Sequence, residues 1–352
     1  MKVNLWRDDV TMLRPVQAAT QRHAVRSRLF LEVEHGGVVG FGEVAPQSTA
    51  LNGDPSIDDV IDELRITVMP LLVAAAARES GLPSWTRIAR FAGPRPASNW
   101  AVALVEMALM DREFRSTGAD VSSLWPAQYD TPEQATVSLL DDEVSWSVEP
   151  GVARVRAKTA PGTLSLVARR RLEALDRPVI LDFNCSASSV ADVLEQLHTL
   201  SRVVDVEAVE QPFAMGNIVD HAELAARMEV AVSLDEGVRS LRDLTQIVRY
   251  DAARMVCIKP ARVGGLANAR TMFVRAGELG LRAYLGGFFE SSYARGVHRI
   301  LARHCVSEPS DIAVVALSEP RRRAELVTVK WGFDMAPNPE IFSGAKPIVS
   351  WG

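Results

Sequence analysis

Val179-Ile-Leu-Asp182, Val206-Glu-Ala-Val-Glu210, Val232-Ser-Leu-Asp235 and Met255-Val-Cys-Ile-Lys259 are four short apolar runs, each closed by one ionisable residue. A fifth run, Arg154-Val-Arg-Ala-Lys158, precedes them. Successive closing residues lie 24, 28, 25 and 24 positions apart, about one strand-plus-helix unit each. Runs of this length, rich in β-branched residues, predict buried parallel strands. Further strand-like runs stand at 135–140, 282–285 and 312–315. Helix-periodic runs fill the gaps at 164–175, 190–200, 218–227 and 266–278. Eight strands alternating with helices predict a (β/α)8 barrel over 97–320. A doubly wound sheet has less support, because no Gly-x-Gly-x-x-Gly follows an early strand.

The flanks read differently. Arg26-Ser-Arg-Leu-Phe-Leu-Glu-Val-Glu34 alternates apolar and polar residues. His35-Gly-Gly37 turns the chain, and Val38-Val-Gly-Phe-Gly-Glu-Val44 returns. A helix over 56–77 completes a small α+β domain, residues 1–96. A second helix, 98–114, opens the barrel domain with Ser98 or Asn99 as its cap. The tail, 321–352, carries one strand-like run at 327–331 and is expected to complete the N-terminal domain.

The 352 residues carry a net charge of −5, so no basic field exists to hold nucleic acid. No run approaches the roughly 18 apolar residues that span a bilayer, which argues against a membrane partner. The first eight residues have no long apolar core of a signal peptide. Cys185, Cys257 and Cys305 are far apart and form no Cys-x-x-Cys, which predicts a reduced, cytoplasmic protein and no zinc finger.

The C-terminal ends of barrel strands form the active-site face. Five consecutive strands therefore bring Lys158, Asp182, Glu210, Asp235 and Lys259 to one height. Three converging carboxylates repel unless a cation lies among them, and hard oxygen donors suit Mg²⁺ or Mn²⁺. The flanking lysines are candidate bases, their pKa lowered by burial and a nearby metal. A substrate carboxylate on such a metal would have an acidified α-C–H and a stabilised enediolate. Singly, such residues are usually turn caps, solvated lysines or ion pairs. The uniform spacing and the charge order favour the functional reading.

These residues resemble the enolase superfamily, in its muconate-lactonizing-enzyme subgroup, whose use of a lysine base with Mg²⁺ is a recognised pattern. The resemblance extends over Gly40-Phe-Gly-Glu-Val-Ala-Pro46, the helix Ala103-Leu-Val-Glu-Met-Ala-Leu-Met-Asp111 and the barrel motifs Glu210-Gln-Pro212 and Asp235-Glu236. It implies Asp182, Glu210 and Asp235 as metal ligands and Lys158 and Lys259 as the acid/base pair. Ile258-Lys-Pro-Ala-Arg-Val-Gly-Gly265 and Gly286-Gly-Phe-Phe-Glu-Ser-Ser292 resemble o-succinylbenzoate synthases and N-succinylamino acid racemases. A lyase reaction of menaquinone biosynthesis is the first expectation. Racemisation or epimerisation of N-acylamino acids or dipeptides, or a cycloisomerisation, is the alternative. A barrel that only binds would show a broken acid triad or a missing lysine. The partner is a small carboxylate; a homo-oligomer is left open.

The resemblance also implies Arg262 beside Lys259, and backbone N–H groups around Gly286 and Gly287 that meet the substrate. Arg156 replaces the family's usual lysine in Lys-x-Lys, and Phe183 replaces the alanine of Asp-Ala-Asn. Asn184 is expected to hydrogen-bond around the ligands. In this family the loop 15–26 closes over the substrate, which makes His23, Arg22 and Arg26 candidate contacts; surface arginines are the alternative. Phe288 and Phe289 are read as packing, and Glu290 as a helix cap.

Overall fold

A computed structural model describes residues 1–79, 81–91, 95–142, 148–313, 326–330, 332–337 and 345–351. The chain opens with an antiparallel meander: β1 (Lys2–Gln17), β2 (Arg22–His35) and β3 (Val38–Val44). Gly36 and Gly37 both take positive φ at the β2–β3 turn, the conformation a tight hairpin requires. Val16 pairs with His23 and Gln17 with Arg22, so the expected loop 15–26 is largely hairpin, and only 18–21 turn. β1 was not expected: its charged residues and Pro15 mask the alternation. α1 (Ile57–Glu63) starts at a capping box between Ser56 and Asp59. It continues through a π-helical turn, Leu64–Val68, into α2 (Met69–Glu79); α3 is Trp85–Ile88. α4 (Pro96–Thr117) starts with proline and ends at Gly118, φ 68.

Then the parallel sheet begins. Its strands are β4 (Glu133–Ser138), β5 (Val152–Lys158), β6 (Val179–Asp182), β7 (Val206–Glu210), β8 (Ala231–Leu234), β9 (Met255–Ile258) and β10 (Arg282–Leu285). The intervening helices are α5 (Leu166–Glu173), α6 (Val190–Leu200), α7 (Ile218–Arg227), α8 (Leu241–Arg249), the single turn α9 (Pro260–Val263) and α10 (Leu266–Glu278). α11 (Ser292–Cys305) follows β10. The seven strands are neighbours in sequence order, a curled α/β barrel wall. The expected eighth strand at 312–315 is not one where it is described: 312–313 are irregular, and 314–315 lie outside the described residues. Ser310 and Asp311 close the gap instead. The Gln134 N–H donates to the Ser310 carbonyl at 2.8 Å, and the Asp311 N–H to the Leu285 carbonyl at 2.8 Å. No described helix is long and apolar enough to cross a membrane.

β11 (Leu326–Thr328) pairs with β12 (Met335–Pro337), and β13 (Val349–Trp351) pairs with β1. The tail thus adds a strand to the N-terminal sheet. α4 is buried nearly all round between the sheet and the barrel. Glycine permits that closeness: a Cβ at Gly42 would lie 2.2 Å from the Leu104 carbonyl oxygen. Three buried carboxylates tie the parts together. Glu106 of α4 accepts from the first N–H groups of α10, Leu266 at 2.6 Å and Ala267 at 3.0 Å. Glu43 of β3 accepts from the Ser291 and Ala294 N–H groups at the start of α11. Asp111 accepts from the Phe41 and Phe333 N–H groups.

Burial raises Glu43 and Glu106 to about 7 and Asp111 to about 6. Between about pH 4.5 and 7 the folded chain therefore holds protons that the unfolded chain has released, and stability falls as pH rises. Denaturant midpoints measured from pH 5 to 7.5 should decline, and Glu106→Gln should flatten the slope. Glu106→Ala, which strands the Leu266 and Ala267 N–H groups, should cost about 2–4 kcal/mol at pH 5 and less as pH rises toward 7.5.

Candidate active site at the barrel mouth

Register builds the site. Lys158 of β5 stands beside Asp182 of β6, and Asp182 beside Glu210 of β7. Glu210 stands beside Ser233, which puts Asp235 just past the end of β8. Gln211 fixes that last position: its Oε1 accepts from the Asp235 and Gly237 N–H groups at 3.0 and 3.1 Å. The Glu-Gln-Pro motif thus straps β7 to the end of β8. Lys158 Nζ donates to Asp182 Oδ2 at 2.5 Å, and Lys259 Nζ to Asp235 Oδ2 at 2.8 Å. All five groups are buried.

Burial and the Asp182 charge push Glu210 up to about 7. Burial would raise Asp235 as well, but Arg262 and Lys259 outweigh it and hold Asp235 well below the usual range. Lys259 departs from its expected lowering. Burial pushes its amine down, but the Asp235 carboxylate outweighs burial and holds it above the usual range. The same ammonium sits 4.5 Å from the Phe288 ring centre, so Phe288 is more than packing.

A second layer holds these groups. Arg156 reaches Glu210 Oε1 at 3.2 Å, Asp311 Oδ2 at 3.1 Å and Asp182 Oδ2 at 3.7 Å. Arg262 donates to Asp235 Oδ1 at 2.5 Å and grips Asp54 at 2.9 and 2.6 Å. Asp54 comes from the N-terminal domain and was not expected. Nor was Tyr284, whose hydroxyl donates to Glu210 Oε2 at 2.5 Å and lies 3.1 Å from Ser233 Oγ. Its position on the strand before Gly286 was the available signal. Asn184 donates its N–H to Asp182 Oδ1 at 3.0 Å and its amide to Glu236 Oε1 at 3.3 Å. Phe183 is fully buried in the core.

Some expected contacts fall elsewhere. The Arg26 guanidinium bonds the Ala45 and Phe288 carbonyls, both at 2.7 Å, and straps β2 to the barrel instead of facing the cavity. Arg22 pairs with Asp141 at 3.3 Å. The Gly286 N–H donates to the Ile258 carbonyl, so it is spent within the sheet. Glycine is needed there because a Cβ would lie 2.3 Å from Cys257 Sγ. Ser291, not Glu290, caps α11; Glu290 pairs with Arg295 at 3.1 Å.

A cavity of about 50 Å³ is lined by His23, Asn52, Arg156, Lys158, Asn184, Glu236, Lys259, Arg262, Gly287 and Phe289, among others. Burial and the nearby cations Arg26, Lys158 and Lys259 lower His23 to about 3, so its ring is neutral. A roomier groove of about 510 Å³ beside Asn99 and Leu241 gathers no comparable set of acids and bases. Two acceptors in the cavity wall have no hydrogen-bond partner: Asn184 Oδ1 and Glu236 Oε2. Glu210 and Asp235 bring together oxygen donors of the kind that fits a hard divalent cation. Ligand atoms of Glu210, Asp235 and Cys257 lie within 4.8 Å of one another, while Asp182 Oδ2 turns to Lys158. Burial and the Asp235 charge raise the Cys257 thiol well above its usual range; protonated, it is a poor ligand for Mg²⁺.

A barrel whose mouth sets two lysines against strand-end carboxylates defines a class of enzyme. The chain belongs to the enolase superfamily: its enolase C-terminal domain-like family spans residues 144–337, and the mandelate racemase/muconate lactonizing enzyme N-terminal domain spans 2–125. Members of this superfamily typically use Mg²⁺. An N-succinylamino acid racemase of Amycolatopsis sp is 27% identical over 85% of this chain and 82% of its own. An o-succinylbenzoate synthase of Bacillus subtilis (strain 168) is 27% identical over 86% and 81%. The N-succinyl Arg/Lys racemase of Bacillus cereus superposes with a TM-score of 0.79 at 17% identity, covering 100% of this chain and 98% of its own, and shows the shared fold.

Tyr284→Phe should leave the fold intact, because only a hydroxyl is lost. It frees Glu210 Oε2 to swing, and calorimetric Mg²⁺ titration should show affinity reduced by about 10-fold.

Proposed function

We propose that this enzyme abstracts the proton α to a substrate carboxylate, and that its reaction is the Mg²⁺-dependent dehydration that yields o-succinylbenzoate. The carrying observation is the pairing of two amines, Lys158 and Lys259, with strand-end carboxylates around one cavity. Mg²⁺ held by Asp182, Glu210 and Asp235 would polarise the substrate carboxylate and balance the enediolate charge. Lys158 takes the α-proton once its amine leaves Asp182 and loses its own proton. Lys259 stays charged, because Asp235 and the Phe288 face both favour the cation. From there it stabilises the enediolate electrostatically while the hydroxyl departs as water, carrying the proton that Lys158 took. The site would then serve menaquinone formation.

A second reading, racemisation of N-acylamino acids, is favoured by one observation. The unpartnered acceptors Asn184 Oδ1 and Glu236 Oε2 stand in the cavity wall, where an amide N–H would satisfy them. In that reaction the two amines exchange one α-proton from opposite faces.

Lys158→Ala should lower dehydration by about 10²–10⁴-fold. Deuterium uptake from solvent into N-succinylphenylalanine separates the readings. Uptake that needs both lysines supports racemisation; dehydration without uptake supports the synthase reaction. If wild type with Mg²⁺ shows neither, both substrate assignments fall.

A further inference from the structure

We infer that the groove where the starts of α4, α8 and α10 meet is a second binding site, and that it takes a small carboxylate carrying an apolar body. It stands apart from the barrel mouth: none of Lys158, Asp182, Glu210, Asp235 and Lys259 lines it. The inference does not depend on the reaction proposed above.

The groove has a volume of about 510 Å³, within the range of small-molecule sites. Pro96, Leu241, Val263 and Met272 give it an apolar wall, and Arg239 and Arg242 bring two positive charges. No carboxylate lines it among the described residues. The acids that Arg239 meets are already engaged. Asp54 pairs with Arg239 at 3.1 Å and with Arg262 at 2.6 Å. Asp243 Oδ2 accepts from the Arg239 N–H at 3.0 Å and from the Ser240 hydroxyl at 2.9 Å.

Donors remain for an anion. Arg239 Nε donates to the Glu236 carbonyl at 3.0 Å and Nη2 to Asp54, while Nη1 has no acceptor among the described residues. Arg242 is exposed and has no ion pair among the described residues. A planar carboxylate suits a guanidinium, because both of its oxygens accept together. The apolar wall favours a singly charged anion with a hydrophobic body over a compact, strongly hydrated one. The site also touches the contact between the domains. Asn99 lines the groove and donates to the Arg262 carbonyl at 3.0 Å. Arg239 and Arg262 together hold Asp54 of the N-terminal domain, so a ligand on Arg239 bears on that latch.

The test is calorimetric titration of the full chain with Mg²⁺, using 4-phenylbutyrate, its neutral amide 4-phenylbutanamide, and butyrate. The aryl acid should bind one equivalent. It should bind about 10-fold or more tightly than the amide, which lacks the charge, and than butyrate, which lacks the ring. Arg242→Glu should weaken it by about 10-fold or more. Thr271→Trp, which fills the groove from an exposed position on α10, should abolish it. Equal affinities for the acid and the amide, or for the acid and butyrate, overturn the site in the wild type without any variant. Absence of binding also overturns it. So does binding that persists in both Arg242→Glu and Thr271→Trp, which would place the ligand at the mouth instead.

Discussion

Buried charge governs this protein. Asp182, Glu210 and Asp235 sit side by side where a low-dielectric barrel ends, and each would repel the others without compensation. Lys158, Arg156, Lys259 and Arg262 supply it at 2.5 to 3.7 Å. The compensation runs outward in chains. From Asp235 it passes through Arg262 to Asp54 in the N-terminal domain. From Glu210 it passes through Arg156 to Asp311, then Arg295 and Glu290. One chain anchors the N-terminal domain over the mouth. The other pins the segment that closes the sheet between β10 and β4.

The same logic operates one layer back, with backbone N–H groups replacing cations. Glu43 and Glu106 meet helix starts whose first N–H groups have no partner within the helix. Both carboxylates belong to elements outside the barrel, and both helices belong to it. The site is therefore assembled from two units that share acceptors and donors, and its geometry depends on their docking.

The strand ends were legible because each lay at the close of a short apolar run, at the interval a strand and helix require. β5 to β10 were expected within a residue or so of where they fall. What was not legible depends on contacts distant in the chain. Asp54 and Arg262 are 208 positions apart, and no local pattern joins them. Tyr284 reads as an ordinary strand aromatic until the sheet brings it beneath Glu210. β1 escaped notice because both charged and apolar residues crowd a strand that pairs on two sides. At the eighth position, among the described residues, Ser310 and Asp311 make the closing bonds, and 314–315 lie outside them. Arg26 was expected as a contact for a substrate carboxylate, but its guanidinium is taken up by the Ala45 and Phe288 carbonyls.

Arg156 shows why a departure from a family pattern deserves a structural answer. A lysine ammonium is a compact point charge, whereas the guanidinium fork has a fixed width and several donors. Here the fork meets Glu210, approaches Asp182, reaches across to Asp311 and contacts Thr136 at 3.2 Å. No single ammonium spans that set. The substitution therefore couples two carboxylates of the mouth to the closing segment, and it takes up Glu210 Oε1 while Tyr284 holds Oε2. With both oxygens engaged, Glu210 has little freedom to reorient. Asp182 is different: Lys158 holds its Oδ2, and a backbone N–H holds its Oδ1. The amine makes its contact through a flexible side chain, and Arg156 at 3.7 Å remains beside the carboxylate when it leaves. Lys158 is thus held by a side-chain contact alone, as the proposed role of proton acceptor requires.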